Sequence, residues 1–424
     1  RVRCRVAGTT ALRETSRMAS LLDSVLVMVL AGGQGARLAP LTKDRAKPAT
    51  PFAGSHRIID FALSNCLNSG LTRIVLLTQY RSISLHRHIQ TGWTEYFVPG
   101  LGQFIDLVPP QQRTHSMWYL GTADAIYQNI YLLERERPRH VLILGGDHVY
   151  KMDYAAMLRR HIDAGAVMTV GCIEVPRMEA TRFGVMGVDD RMRIQTFREK
   201  PDDPAPVPGK PDRALASMGF YVFDTDALVK ALIADARADT ARDFGKNIIP
   251  DLVDAGAPVY AFPFHEPDAP DRSYWRDIGT LDSFYDANMD LVRETPPFDL
   301  YGDDWPIRTS YQPLPPAKVV NADGHSAEVQ NALLSPGVQI HGGAVRNSVL
   351  SPNVVVEPGA VIEDSLLFDD VRVESGARVS RAIVDKLVRI PPGEAIGSAF
   401  PDGARRFSTT ESGIVVLPKA MVLS

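Results

Sequence analysis

The sequence predicts an α/β domain built on a mainly parallel, mixed sheet, followed by a second domain that is a parallel β-helix. Three observations carry that prediction. Between residues 24 and 295, apolar β-branched runs alternate with helix-like segments, the pattern of strands joined by crossover helices. Prolines then cluster from Pro296 to Pro316, which reads as a linker. Beyond them the chain repeats itself every 17 residues, as Ser348, Ser365 and Ala382 illustrate, and a short repeat of that kind marks a solenoid.

Along the chain, residues 1–20 are expected to be a disordered extension. Residues 1–17 are Arg-rich, lack an initiator Met and show no amphipathic pattern. A transit peptide shares the Arg-richness, but an upstream extension with Met18 as the natural start suits a fold that begins at once. The first domain spans 21–295. Its strands are predicted at Val25–Leu30, Arg73–Thr78, Val141–Leu144, Val167–Ile173 and Phe220–Phe223, and its helices at Ile58–Ser69, Ala123–Glu136 and Asp153–Ala164. The linker covers 296–318 and the repeat domain 319–424. There, Asn347-Ser348-Val349-Leu350 aligns with Asp364-Ser365-Leu366-Leu367 and Arg381-Ala382-Ile383-Val384. Val356 aligns with Val373 and Ile390, Gly359 with Gly376 and Gly393, and Ile362 with Val379 and Ile396. Each copy is one coil that buries its apolar edge only against its neighbours. A plain β-sandwich would not keep glycine and valine in phase over three copies. The repeats hold no titratable cluster and read as scaffold and oligomer contact.

Composition narrows the function. A chain of 424 residues holds two or more domains, and its net charge of −4 leaves no basic field for nucleic acid. No run approaches the roughly 18 apolar residues of a membrane span. Cys4, Cys66 and Cys172 lack zinc spacing and cannot all pair, which fits a reducing cytoplasm.

The chemistry concentrates after the strands. The apolar run Val25 to Leu30 feeds a loop with Gly32, Gly33 and Gly35, which can bring backbone N–H groups onto phosphate oxygens. Arg37 adds a forked cation and Lys47 a second charge. The same glycines also suit a plain strand-to-helix turn. A dinucleotide fingerprint would need glycine where Leu38 stands, and a Walker loop needs Gly-Lys-Ser/Thr, which is absent. Asp147 follows the run Val141 to Leu144, at a carboxyl end where such sheets bind ligand. Asp277 arrives far downstream. Two carboxylates can share a magnesium ion, although an Asp after a strand serves equally as a helix cap. His148 has no partner His at ligand spacing and reads as structural. Lys200, after the strand-like Arg193–Phe197, suits either solvent or a phosphate. Tyr119, in an aromatic and glycine segment, suits a flat base or the core.

The string Leu30-Ala31-Gly32-Gly33-Gln34-Gly35-Ala36-Arg37-Leu38, with Lys47-Pro48, resembles the opening signature of the sugar-phosphate nucleotidyltransferases. The likeness continues in order through Arg57-Ile58-Ile59-Asp60-Phe61, Trp118-Tyr119-Leu120-Gly121-Thr122, Gly145-Gly146-Asp147-His148, Phe183-Gly184-Val185-Met186, Glu199-Lys200-Pro201, Ser217-Met218-Gly219-Phe220, Asp243-Phe244-Gly245-Lys246 and Tyr274-Trp275-Arg276-Asp277. Together these are similar to the adenylyl branch, the bacterial glucose-1-phosphate adenylyltransferases or ADP-glucose pyrophosphorylases. The resemblance implies a Rossmann-like, GT-A-like nucleotidyltransferase domain and a left-handed β-helix of hexapeptide repeats. It implies adenylyl transfer from ATP to glucose 1-phosphate, the committed step of glycogen synthesis, in a cytoplasmic, allosterically regulated homotetramer using Mg²⁺. It makes Arg37, Lys47 and Asp147 catalytic and puts Gly32, Gly33, Gly35 and Tyr119 on ATP. It gives magnesium to Asp147 and Asp277, and glucose 1-phosphate to Gly184, Glu199, Lys200 and Ser217.

The chain departs from that pattern at four positions. Gln34 stands where the family usually has Arg, Asp44 where the enterobacterial enzymes have Lys, Pro51 in place of a nearby His, and Asn247 where many relatives have Asp. An anionic effector other than fructose bisphosphate is therefore expected, such as fructose 6-phosphate or pyruvate. Arg45, Arg57, Arg405 and Arg406 are its candidate contacts and read equally as surface charges. The rival readings are a pyrophosphorylase for UTP, dTTP or GTP, and a non-catalytic regulatory paralogue. The joint presence of Arg37, Lys47, Asp147, Lys200 and Asp277 argues against the second.

Overall fold

An apolar run without polar interruption suits a strand covered on both faces, and β1 (Val25–Ala31) takes that place at the middle of the first sheet. The protein is described by a computed structural model over residues 20–33, 35–110, 118–269, 273–398, 400 and 406–423. The extension expected over 1–20 falls, up to residue 19, outside the described residues, as do Gln34 and Arg405. Strand β1 pairs in parallel with β2 (Arg73–Thr78), which carries β3 (Phe104–Val108) at the edge, and on its other side with β4 (His140–Gly145). Next in the chain, β5 (His148–Tyr150) leaves this sheet. Strands β6 (Met168–Pro176), β7 (Gly184–Val188), β8 (Ile194–Glu199), β9 (Arg213–Asp224) and β10 (Val259–Pro263) complete it, and β11 (Trp275–Asp277) pairs antiparallel with β5. The sheet order is β8-β7-β9-β4-β1-β2-β3, with β6 between β9 and β10. β9 runs antiparallel to β4, β6 and β7, and β8 antiparallel to β7, which makes the sheet mixed.

Helices α1 (Ile58–Asn68), α2 (Ile83–Gly92), α3 (Thr122–Tyr127), α4 (Ile130–Glu136), α5 (Tyr154–Asp163) and α6 (Thr225–Ala236) accompany the sheet, and α7 (Leu281–Met289) closes the domain. Two expectations change in detail. The single helix expected over Ala123–Glu136 is broken at Gln128 and Asn129. The Asn129 amide donates to Ala125 O at 2.8 Å and to the Tyr119 hydroxyl at 3.0 Å, and Gln128 Nε2 donates to Asp124 at 2.7 Å. Side chains that bond locally in this way compete with the helix ladder. The strand expected at Phe220–Phe223 is the end of the much longer β9, whose register breaks between Ser217 and Tyr221.

The repeat domain is a parallel β-helix in the register that the repeats predict. Val349, Leu366 and Ile383 stack in one column, Val356, Val373 and Ile390 in a second, and Ile362, Val379 and Ile396 in a third. The phase is also carried by the backbone: Gly359, Gly376 and Gly393 have φ of 72°, 71° and 69°. Ser348 Oγ accepts from Ser365 N and Ser365 Oγ from Ala382 N, so the aligned serines cap one coil with the next.

The segment between the domains is docked. Trp305 Nε1 donates to Asn65, Arg308 N to Ser64 Oγ, and Thr309 Oγ1 to Asp60. Asn68 Nδ2 donates to Pro306 O. Asp60, Ser64 and Asn68 recur at four-residue spacing, one face of α1, so this strap is bound along a helix. The β-helix also shares a core with the first domain, through Phe52, Phe61, Phe284, Phe298, Val349, Leu366, Phe368 and Ile383. Across that junction Arg45 Nη2 lies 2.9 Å from Asp385 Oδ1, at side-chain exposures of 4% and 1%. No helix among the described residues is long and apolar enough to cross a membrane.

Removing one partner of a buried ion pair strands the other charge, so Asp385→Ala should destabilise the protein by about 3–5 kcal/mol. Denaturant unfolding checks this; a loss below about 1 kcal/mol would mean that water reaches Arg45 in the variant.

Candidate active site

The strands β1, β2 and β4 are parallel, so their carboxyl ends meet at one edge, where such sheets bind ligand. Gly32 and Gly33 follow β1, Gln79 and Tyr80 follow β2, and Gly145 and Asp147 lie at the end of β4. They line a cleft of ≈ 640 Å³, together with Tyr119, Gly184, Glu199, Lys200, Ser217 and Asp277.

The small antiparallel ribbon of β5 and β11 builds the centre of this cleft. Its register sets Asp277 opposite His148, the residue after Asp147. Both carboxylates then converge on Lys47: its Nζ is 2.7 Å from Asp147 Oδ2 and 3.7 Å from Asp277 Oδ1. His148 Nδ1 lies 3.2 Å from Asp147 Oδ1, and its ring stacks on Trp275 at 5.2 Å. Burial alone would raise the Asp147 carboxyl; the Lys47 ammonium and then His148 overcome it and hold the pKa down at about 2. The centre is thus a carboxylate pair already neutralised in part by a cation.

The end of the cleft near β7 and β8 is cut for a small polar ligand. Glu199 pairs with Gly184 across the ladder. A Cβ at Gly184 would come to 2.6 Å from the Phe197 ring and 2.9 Å from Glu199 Oε2, and one at Gly245 to 2.7 Å from the same oxygen, so the two glycines leave that carboxylate its place between them. Burial raises the Glu199 pKa despite the adjacent Lys200, and Asp243 adds to the rise. The Lys200 side chain is 62% exposed, with Nζ 3.6 Å from Glu199 Oε1, leaving its ammonium accessible to an anion. Ser217 lines the same end, at the break in the β9 register. The other end offers flat faces. Tyr80 stacks on Trp118 at 4.7 Å and 18°, and Tyr119 is fixed by Asn129.

The structure therefore brings Gly32, Gly33, Tyr119, Asp147, Gly184, Glu199, Lys200, Ser217 and Asp277 to one cleft with Lys47 at its centre. It does not bring in Gly35 and Arg37. Arg37 is exposed in the turn Ala36–Leu38, outside the cleft lining. Gly35 packs back on Thr42 and Lys47 and supports the loop from behind. Arg45 and Arg57 lie at the domain junction. Arg57 Nη1 donates to Ala49 O and Ser84 Oγ, and its pKa is lowered by burial and by the nearby Arg45. Arg406 lies elsewhere on the β-helix, 2.8 Å from Glu394.

Sequence reasoning missed Gln79, Tyr80, Arg182, Asp243 and Trp275. The first two could have been found, because they follow the predicted strand Arg73–Thr78 as Gly32 follows β1. Asp243 accepts from Gly245 N, Lys246 N and Thr122 Oγ1, which tethers α3 to the short helix Phe244–Ile248. Only the tertiary contact gives it that position.

An ionised carboxyl held below its ordinary 3.8 stabilises the fold above that pH, and the increment is lost as pH falls toward about 2. Lys47→Met should remove the depression. The stability gap between wild type and variant, read by denaturant unfolding, should shrink as pH drops from about 4 to 2; a gap that does not change with pH would contradict the pairing.

Comparison with known proteins agrees with this geometry. Residues 26–294 match the family described as Nucleotidyl transferase, and residues 315–417 match one described as GlmU-like, C-terminal hexapeptide. The chain is similar to a protein of Vibrio cholerae named glucose-1-phosphate adenylyltransferase 2, at 49% identity over 95% of this chain and 100% of that one. It is similar to glucose-1-phosphate adenylyltransferase 1 of Alkalilimnicola ehrlichii, at 49% over 81% and 82%. A glucose-1-phosphate adenylyltransferase of Rhodopirellula baltica is 48% identical over 86% of this chain and 83% of its own.

Proposed function

Because the chain belongs to the glucose-1-phosphate adenylyltransferase family of nucleotidyl transferases, we propose that it transfers the adenylyl group of ATP to glucose 1-phosphate, giving ADP-glucose and pyrophosphate for glycogen synthesis. The observation that carries the reading is the cleft itself, where Lys47, Asp147 and Asp277 stand between a glycine loop with flat aromatic faces and a glycine-framed pocket edged by Lys200.

In this reaction a phosphate oxygen of glucose 1-phosphate attacks the α-phosphorus of ATP. The new P–O bond forms as the bond from that phosphorus to the bridging oxygen breaks, and pyrophosphate carries the electron pair away. The nucleophile is already anionic at neutral pH, so no side chain needs to take a proton. What the protein supplies is position and charge. The Gly32-Gly33 backbone and Lys47 receive the nucleotide phosphates, Tyr119 the nucleoside, and Lys200 the sugar phosphate. Gly184, Gly245 and Ser217 leave space for the sugar, whose hydroxyls the Glu199 carboxylate can accept from. The role of Arg37 on the leaving phosphates rests on the resemblance, because its exposed side chain lies outside the cleft lining.

Asp147 and Asp277 suit a magnesium ion. They offer hard oxygen donors, they already face one cation, and Asp147 stays ionised above about pH 2. When bound, the ion supplies neutralising charge to the phosphates. Regulation by an anion belongs at the domain junction, where Arg45 and Arg57 meet Lys386 beside Asp369 and Asp385. An effector there must compete with Asp385 for Arg45. A homotetramer in the cytoplasm follows from the resemblance.

Purified protein with ATP, glucose 1-phosphate and Mg²⁺ should release pyrophosphate, and UTP, dTTP or GTP should be poorer donors. No release would overturn the reading. Asp147→Asn should lower kcat by roughly 100-fold or more. Lys200→Ala should raise KM for glucose 1-phosphate by about 10–100-fold, the worth of a charge-assisted hydrogen bond, with little effect on KM for ATP.

A further inference from the structure

At the opposite pole of the sheet from the cleft lies the one His, Cys, Asp and Glu cluster with ligand-like spacing among the described residues. His140 opens β4, His161 sits in the last turn of α5, and Asp224 ends β9 directly across the ladder from His140. The separation from the cleft is about 17 Å, the length of β4 at ~3.3 Å per residue.

The three side chains converge on a point. His140 Nδ1 is 3.1 Å from Asp224 Oδ1, and His161 Nε2 is 3.4 Å from the same oxygen. All three ligand atoms lie within 4.8 Å of one another. Donors bound about 2.0–2.1 Å from a tetrahedral zinc ion stand roughly 3.3 Å apart, so the distances to the carboxylate need almost no adjustment.

Several features of the cluster suit a ligand set. His140 Nδ1 is buried and makes no hydrogen bond despite its closeness to Asp224. His161 Nδ1 lies 2.8 Å from Thr169 Oγ1. In the tautomer that donates Nδ1–H to Thr169, Nε2, 3.4 Å from Asp224 Oδ1, turns its lone pair to the cluster, the outer-shell arrangement typical of metal-bound histidine. The His161 side chain is only 1% exposed, whereas Asp224 is 44% exposed and leaves a path for entry. The C-terminal end of α5 adds partial negative charge, which with Asp224 offsets the nearby Arg139. Burial lowers both imidazole pKa values, and the neutral ring is the form that ligates.

We propose that His140, His161 and Asp224 bind a divalent transition-metal ion of the zinc class, separate from the magnesium of the cleft, and that this ion clamps the ends of β4, α5 and β9. Two imidazole nitrogens select zinc-like ions over magnesium or calcium, which prefer oxygen. A water completes the coordination on the exposed side.

The test uses the full-length chain, stripped with a chelator and titrated with Zn²⁺ by equilibrium dialysis and thermal unfolding. Wild type should bind one zinc that Asp277→Asn also binds, and that zinc should raise Tm while Mg²⁺ at the same concentration does not. His140→Gln and Asp224→Asn should each weaken it on the order of 100-fold, and Thr169→Val about 10-fold through the outer shell. Asp224 is half exposed, so its variant keeps the test alive if His140→Gln folds poorly. Zinc binding unchanged in both ligand variants, or no zinc-dependent rise in Tm, would overturn the site.

Discussion

Two carboxylates held near one another in a cleft stay ionised together only where a positive charge accompanies them; otherwise one takes a proton. Lys47 supplies that charge, and much of the first domain is arranged to deliver it. The lysine opens the short turn Lys47–Ala49, with Pro48 setting its direction. Gly35 packs against it from the glycine loop, Ala46 N is tied to Arg81 O, and Ala49 O accepts from Arg57. Two residues before it, Arg45 reaches across to Asp385 of the β-helix. Five consecutive residues thus touch the loop, the cleft and the second domain.

The second support is Asp60. It is fully buried, and it accepts from His88, Trp93 and Thr309 besides the backbone of Arg57. Burial would raise its pKa, but His88 and the hydroxyl of Thr309 outweigh that and lower it. One carboxylate therefore gathers α1, α2 and the interdomain strap. The strap in turn holds the β-helix against the phenylalanine cluster of α1 and α7. Phe284 meets Phe368 edge-on at 6.1 Å, and the Tyr285 hydroxyl donates to Asp364 O at 2.7 Å. The solenoid is consequently a fixed wall of the first domain.

Legibility in the sequence followed the range of the interactions. The β-helix register could be read residue by residue, because each coil contacts only the coil 17 residues away. The parallel strands could be read because burial on both faces demands unbroken apolar runs. The limits of β9 and the break after α3 could not, since they depend on a bulge and on the amides of Gln128 and Asn129. The proline-rich strap looked like a linker, because nothing local reveals that Trp305 to Thr309 will find the polar stripe Asp60, Ser64 and Asn68. In the cleft, residues directly after predicted strands were visible, whereas Asp243 and Trp275 come into it from elements packed later.

By itself, then, the sequence determined which residues carry charge at the ends of strands, the phase of the solenoid and the family to which the chain belongs. These are consequences of local pattern and side-chain chemistry. Only the tertiary structure decided that Asp147 and Asp277, 130 residues apart, share one ammonium, because that depends on the pairing of β5 with β11. It alone set Arg37 outside the cleft lining, buried Arg45 against Asp385, and drew His140, His161 and Asp224 together at the far pole of the sheet. Each of these is a long-range contact, and a linear pattern does not specify which distant strand edges and helix ends will meet.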